Sequence, residues 1–151
     1  LAWIFARWLR RPRPVPPPPP PRPPWEVAFE KLDEVRHAGL LATHRYSEYY
    51  DRVGDAVRQY FGARYGFDGL ECTTDEMLAE LSHKPLVGVG LEDVSSFLEQ
   101  CDLVKFARMT PSPDDCTKAL ADAELIVRKT MVPALREFPQ QQPEAQKGAT
   151  P

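Results

Sequence analysis

Apolar positions between Trp25 and Met131 recur at intervals of three and four, the spacing that lines one face of an α-helix. Trp25, Ala28, Phe29, Leu32 and Val35 form the first such stripe. It begins directly after Pro24, a residue suited to a first helical turn, and Gly39 marks its end. The second stripe is the strongest: Tyr46, Tyr49, Tyr50, Val53, Val57, Tyr60, Phe61 and Tyr65. Gly66 follows as a left-handed stop. Thr73-Thr74-Asp75-Glu76 has the spacing of a capping box, with Glu76 reaching back to the Thr73 amide. Met77 or Leu78, with Leu81, supplies the apolar side of that third helix. Lys84 to Gly90, with Pro85, Gly88 and Gly90, reads as a loop. A fourth helix carries Val94, Phe97, Leu98, Cys101 and Val104, with Lys105 and Arg108 near its end, where cations complement exposed carbonyls. Ser112-Pro113-Asp114-Asp115 signals a fifth start. That helix continues through Leu120, Ala123, Ile126 or Val127, and Met131 until Pro133 stops it. Nothing alternates over five residues as a strand would. The pattern predicts an all-α fold, a compact bundle of about five helices over residues 25–133. At that size roughly two-thirds of the unfolded surface can be buried, so neither metal nor disulfide is needed.

The first 24 residues follow a different rule. Leu1 to Leu9 is apolar and carries Trp3 and Trp8, and Arg10, Arg11 and Arg13 come next. Interfacial tryptophans followed by arginines match the aromatic belt and cytoplasmic collar of a membrane span. A full span needs about 20 apolar residues. The nine here, which include Arg7, are too few, and the chain opens on Leu instead of Met. The expectation is therefore the C-terminal end of a membrane-spanning helix over residues 1–11, with Arg7 snorkelling to the headgroups. A short amphipathic helix on the membrane surface is the alternative. The basic cluster lies after the apolar run, which argues against a signal peptide.

Residues 12–24 hold ten prolines in thirteen positions. Proline fixes φ and lacks a donor, so this linker should be polyproline II, reaching roughly 40 Å at about 3.1 Å per residue. Its place between anchor and domain favours a spacer over a ligand for a proline-recognition domain, although Arg-flanked PxxP patterns occur. Residues 134–151 are rich in Gln, Pro and Ala without periodicity, and are expected to be a disordered tail.

Charge sharpens this division. Residues 1–24 contain five Arg and no acid, whereas residues 25–151 contain 14 Lys or Arg against 22 Asp or Glu. The body is thus at −8 and the whole chain at −3. An acidic body does not suit nucleic acid, and the basic end lies where anionic lipid would be. Cys72, Cys101 and Cys116 form no CxxC and are odd in number, which points to reduced core residues.

Candidate chemistry is sparse. His37, His44 and His83 are scattered, with no HExxH spacing. No GxSxG or phosphate-binding GK[ST] motif occurs, and Gly88-x-Gly90 lacks the third glycine of a dinucleotide site. Asp114, Asp115, Glu92 and Asp93 are helix-start acids. The sequence predicts no enzyme, no catalytic residue, no metal and no cofactor. One segment mixes a core pattern with charge: Asp102, Lys105 and Arg108 are spaced to share a helical surface. Its simplest reading is a local Asp102–Lys105 ion pair, worth little if exposed; its functional reading is a partner-facing patch.

Tyr49-Tyr50-Asp51-Arg52-Val53 with Val57-Arg58-Gln59-Tyr60-Phe61, then Arg64-Tyr65-Gly66, then Thr73 to Leu78, resembles successive motifs of a bacterial family. Asp102-Leu103-Val104-Lys105-Phe106-Ala107-Arg108, with Pro111 shortly after, is similar to that family's more specific "aDlvKFAr..p" signature. The family is the cytoplasmic helical region of BatD-like membrane proteins and their short single-span relatives. A more distant similarity is to the cytoplasmic tails of membrane transglutaminase-like proteins. The BatD-like resemblance implies an accessory role beside MoxR-type AAA ATPases and von Willebrand factor A domain proteins, in envelope stress or protein maturation. It carries over no catalytic residue.

Together these readings predict a single-pass protein of the bacterial inner membrane, with a cytoplasmic helical domain that docks a protein partner. The expected docking face includes Asp102, Lys105 and Arg108, with exposed tyrosines at Tyr46, Tyr49 and Tyr50. Trp3, Trp8, Arg10, Arg11 and Arg13 are the expected membrane-interface residues. The alternatives are a self-associating membrane scaffold, and an enzyme or the regulatory tail of a membrane enzyme using Tyr, His44 and acids in a cleft.

Overall fold

Five helices account for the architecture of the computed structural model, which describes residues 20–131. They are α1 (Pro24–His37), α2 (Tyr46–Tyr65), α3 (Thr74–Ser82), α4 (Leu91–Phe106) and α5 (Pro113–Thr130). Among the described residues there is no strand, and no helix is long and apolar enough to cross a membrane. The expected membrane-interface residues Trp3, Trp8, Arg10, Arg11 and Arg13, most of the proline linker and the C-terminal tail lie outside the described residues.

Local chemistry sets the helix ends. The Thr73 hydroxyl accepts from the Glu76 amide while Glu76 accepts from the Thr73 amide, and Ser112 and Asp115 do the same at α5. Each box satisfies two otherwise orphaned donors, a cap worth about 1 kcal/mol. The hydrogen bonds from these caps also hold the Glu76 and Asp115 carboxyls below their ordinary pKa. Pro24 and Pro113 occupy first turns, where the missing N–H costs nothing. Gly66 ends α2 at φ 79°, as its sequence position predicts. The fourth helix stops at Phe106, so Arg108, at φ 51°, lies beyond its end instead of in its last turn.

The fold is organised round α2, which packs against α1, α4 and α5. This explains why its buried residues (Tyr49, Tyr50, Val53, Gly54, Ala56, Val57, Tyr60, Phe61 and Gly62) spread around more than one face. The short α3 packs against α4, held by Met77 and Leu81. Both residues of the α5 ambiguity, Ile126 and Val127, are buried. Cys101 and Cys116 are buried free thiols and Cys72 is half-buried; burial pushes the Cys101 thiol up to about 12.

The loop after α2 lies against that helix at backbone distance. A Cβ on Gly62 would meet the Phe67 carbonyl oxygen at 2.6 Å and the Gly69 amide nitrogen at 2.7 Å. Gly54 is different: its Cβ would meet only Cys101 atoms, at 3.5 and 3.6 Å, an ordinary contact.

The tyrosines expected at the docking surface require correction. Tyr49 is 3% and Tyr50 0% exposed, because α5 and α4 cover the face of α2 that carries them. The Tyr49 hydroxyl donates to the Cys116 carbonyl at 2.9 Å, and Tyr60 shares a hydrogen bond with Thr130 at 3.0 Å. The Tyr50 hydroxyl finds no such partner; the Cys116 thiol lies beside it without hydrogen-bond geometry. Burial pushes Tyr49 up to about 12 and Tyr50 higher still.

Two predictions follow from this packing. Tyr49→Phe removes the side-chain donor to the Cys116 carbonyl and should cost about 1 kcal/mol, whereas Tyr50→Phe removes an unpaired buried hydroxyl and should be neutral or stabilising. Urea denaturation of both variants checks the difference, and equal losses would contradict it. Gly62→Ala should destabilise by about 1–3 kcal/mol, because backbone and not a flexible side chain must yield. Gly54→Ala should gain up to about 1 kcal/mol from helix propensity. A melting temperature raised by Gly62→Ala would show that the loop does not lie against α2.

Candidate partner-binding surface

The charged residues of the Asp102 to Arg108 segment diverge. Asp102 and Lys105 do not pair with each other; both reach across to α2. One oxygen of Asp102 lies 3.5 Å from Arg58 and the other accepts from the Thr74 hydroxyl at 2.5 Å. Lys105 forms an ion pair with Asp51. Along α4 the order is acid then base, and along α2 it runs Asp51 then Arg58. The two pairs therefore clasp antiparallel helices at two points. This replaces the local ion pair expected from the sequence. A local pair would need both side chains to leave the α2 interface, where each has a partner of opposite charge.

Arg58 is the residue that sequence reasoning missed. Its side chain is only 12% exposed. It donates to the Cys72 carbonyl at 3.1 Å and to the Thr74 hydroxyl at 2.6 Å, and Thr74 in turn donates to Asp102. One guanidinium thus ties α2, the start of α3 and α4 together, using a fork of donors that lysine lacks. No residue adjacent in sequence hints at this; Arg58 reads simply as a cation flanking the tyrosine stripe. Asp51's hydrogen bond and charge hold Lys105 above its ordinary pKa.

The remaining expected residues stand apart from this clasp. Tyr46 is half-buried and its hydroxyl lies 3.0 Å from His44 Nδ1. His44 is exposed, at φ 56°. Arg108 is exposed, with no ion pair among the described residues. Among the described residues, no group of three or more His, Cys, Asp and Glu could hold a metal ion.

With the charges turned inward, apolar side chains are left at the end of α4. Leu103 is 51%, Phe106 73% and Met109 46% exposed, three large apolar residues within seven positions. Leu103, Phe106 and Ala107 line a shallow depression of about 350 Å³, with Glu99 and Asp102 also on its wall. Lys105 Nζ sits 5.3 Å from the Phe106 ring centroid, a weak cation–π contact at such an exposed site. A second depression of about 330 Å³ lies between α4 and α5, where Phe97 and Ile126 are flanked by Asp93, Lys118, Asp122 and Lys129. Its polar residues bear both signs of charge, with Lys118 and Asp122 3.9 Å apart.

Comparison with known proteins places no relative beside this surface: no family model, characterised protein or solved structure matches the chain.

The clasp makes a quantitative prediction. Arg58→Ala removes the ion pair to Asp102 and the donors to the Cys72 carbonyl and the Thr74 hydroxyl, and should cost about 2–3 kcal/mol. Lys105→Ala breaks a partly exposed pair and should cost less than about 1 kcal/mol. A double-mutant cycle on Arg58 and Asp102, read by chemical denaturation, should return a coupling of at least about 0.5 kcal/mol. Strict additivity would show that the two groups do not interact.

Proposed function

We infer that the chain is a non-enzymatic, membrane-tethered adaptor whose helical domain docks a cytoplasmic protein. The observation that carries this reading is the exposed Leu103 and Phe106 on the wall of one depression, beside Asp102 and Lys105, which pair with α2. Exposed apolar patches of several large side chains mark interaction sites.

The BatD-like resemblance supplies the class of partner: a MoxR-type AAA ATPase or a von Willebrand factor A domain protein, acting in envelope stress or protein maturation. The signature that carries the resemblance, Asp102 to Arg108, is also the segment that clasps α2 and exposes Leu103 and Phe106. The tether is the apolar and basic segment at residues 1–11, and the proline run is the spacer between it and the domain. Placement follows from the arginine collar: a single-pass protein of the bacterial inner membrane with the domain on the cytoplasmic side.

The test is affinity purification from native membranes with the full chain as bait, beside a bait of residues 1–24 alone. Enrichment of an AAA ATPase or a von Willebrand A-domain protein by the full chain only is the expected result. Recovery of the bait's own full-length form and nothing else would favour the self-associating scaffold and sink the adaptor.

A further inference from the structure

The patch at the end of α4 has a charge environment that selects among partners. Glu92, Ser96, Glu99, Leu103 and Phe106 fall on one face of α4, opposite its buried residues Val94, Phe97, Leu98, Cys101 and Val104. The N-terminal part of that face is acidic, its C-terminal part is apolar, and none of these five residues is basic. The Thr74–Asp102 hydrogen bond brings the first turn of α3, with exposed Asp75 and Glu76, alongside.

The sequence concentrates charge here to an unusual degree. From Asp68 to Val104 there are nine Asp or Glu against a single lysine, Lys84, while residues 25–67 and 105–151 each balance to within one charge. All of the body's net −8 therefore resides in the segment that builds α3 and α4. Lys105 is paired with Asp51 and Asp102 with Arg58, Lys105 Nζ lies 5.3 Å from the Phe106 ring centroid, and Arg108 is an exposed cation beyond the helix end. The carbonyl end of α4 adds partial negative charge beside Phe106.

Resting on the adaptor reading, we propose that the Leu103–Phe106 patch receives a basic amphipathic helix of the partner protein. Its aliphatic face covers Leu103 and Phe106, and its lysines or arginines meet Glu99 and the acidic α3–α4 layer. Nucleic acid and an anionic leaflet carry the wrong charge for this surface. Apolar contact supplies affinity, and charge supplies steering and orientation.

The experiment uses the full chain and a fluorescent synthetic Leu/Lys amphipathic helix of about five turns, read by anisotropy. A second peptide keeps the lysines but replaces the leucines with glutamine. The Leu/Lys helix should bind, and should weaken strongly toward about 1 M salt, where the Debye length falls to about 3 Å. The glutamine peptide should bind at least about tenfold more weakly, as expected if exposed apolar anchors dominate. Phe106→Ser with Leu103→Ser should produce a similar loss with unchanged circular dichroism, since both side chains are exposed. Glu99→Lys should weaken binding severalfold, whereas Asp114→Lys, an identical charge change in the first turn of α5, should not. Equal effects of Glu99→Lys and Asp114→Lys, or binding indifferent to Phe106→Ser, would overturn the proposal. Membrane purification separates the two readings. A partner recovered equally by the Phe106→Ser bait leaves the adaptor standing and removes this surface. Peptide binding without any recovered partner does the reverse.

Discussion

The antiparallel contact between α2 and α4 is the constraint on which the rest of the domain depends. Gly54 of α2 lies against Cys101 of α4, with room for an ordinary Cβ contact between them. On either side, Arg58 meets Asp102 and Asp51 meets Lys105. Apolar burial alone would allow the helices to slide or rotate, since it has no direction. Two ion pairs of opposite polarity fix both register and direction, because reversing either helix would set like charges together. The third participant, Thr74, extends the arrangement to α3, which otherwise packs against α4 through a short apolar side.

The same contact shapes the surface. Because Asp102 and Lys105 face α2, they are not the free charges that their spacing suggests, and the outer face of α4 is left with Leu103 and Phe106. A segment that reads as a charged patch is, in three dimensions, a charged clasp with an apolar back. The tyrosines of α2 show the same inversion. The stripe, whose spacing reads as a core face, gives two hydroxyls to Cys116 and Thr130, leaves Tyr50 unpaired in the core, and exposes only Tyr46 and Tyr65 in part, so Tyr49 and Tyr50 are not the surface tyrosines expected. Core position, not hydroxyl chemistry, accounts for their presence.

Much of the fold was legible because it rests on interactions local in sequence. Thr73 with Glu76, Ser112 with Asp115, Pro24, Pro113 and Gly66 act within one helical turn, and each marks a boundary that the structure reproduces. Apolar spacing identified the core faces for the same reason, since helical periodicity alone decides which residues can be buried together. Less of the candidate surface was legible. Arg58 and Asp102 are separated by the whole of α3 and its flanking loops, and no periodic signal links them.

The sequence by itself therefore determined the five helices among the described residues and the starts that caps and prolines mark, along with the concentration of acid between Asp68 and Val104. The tertiary structure alone decided which helix lies at the centre, which charges meet, and which apolar residues remain uncovered. Those outcomes depend on rotation and register between segments far apart in the chain. The bonds that fix them, from Arg58 to Thr74 and Asp102 and from Lys105 to Asp51, exist only once α2, α3 and α4 are packed.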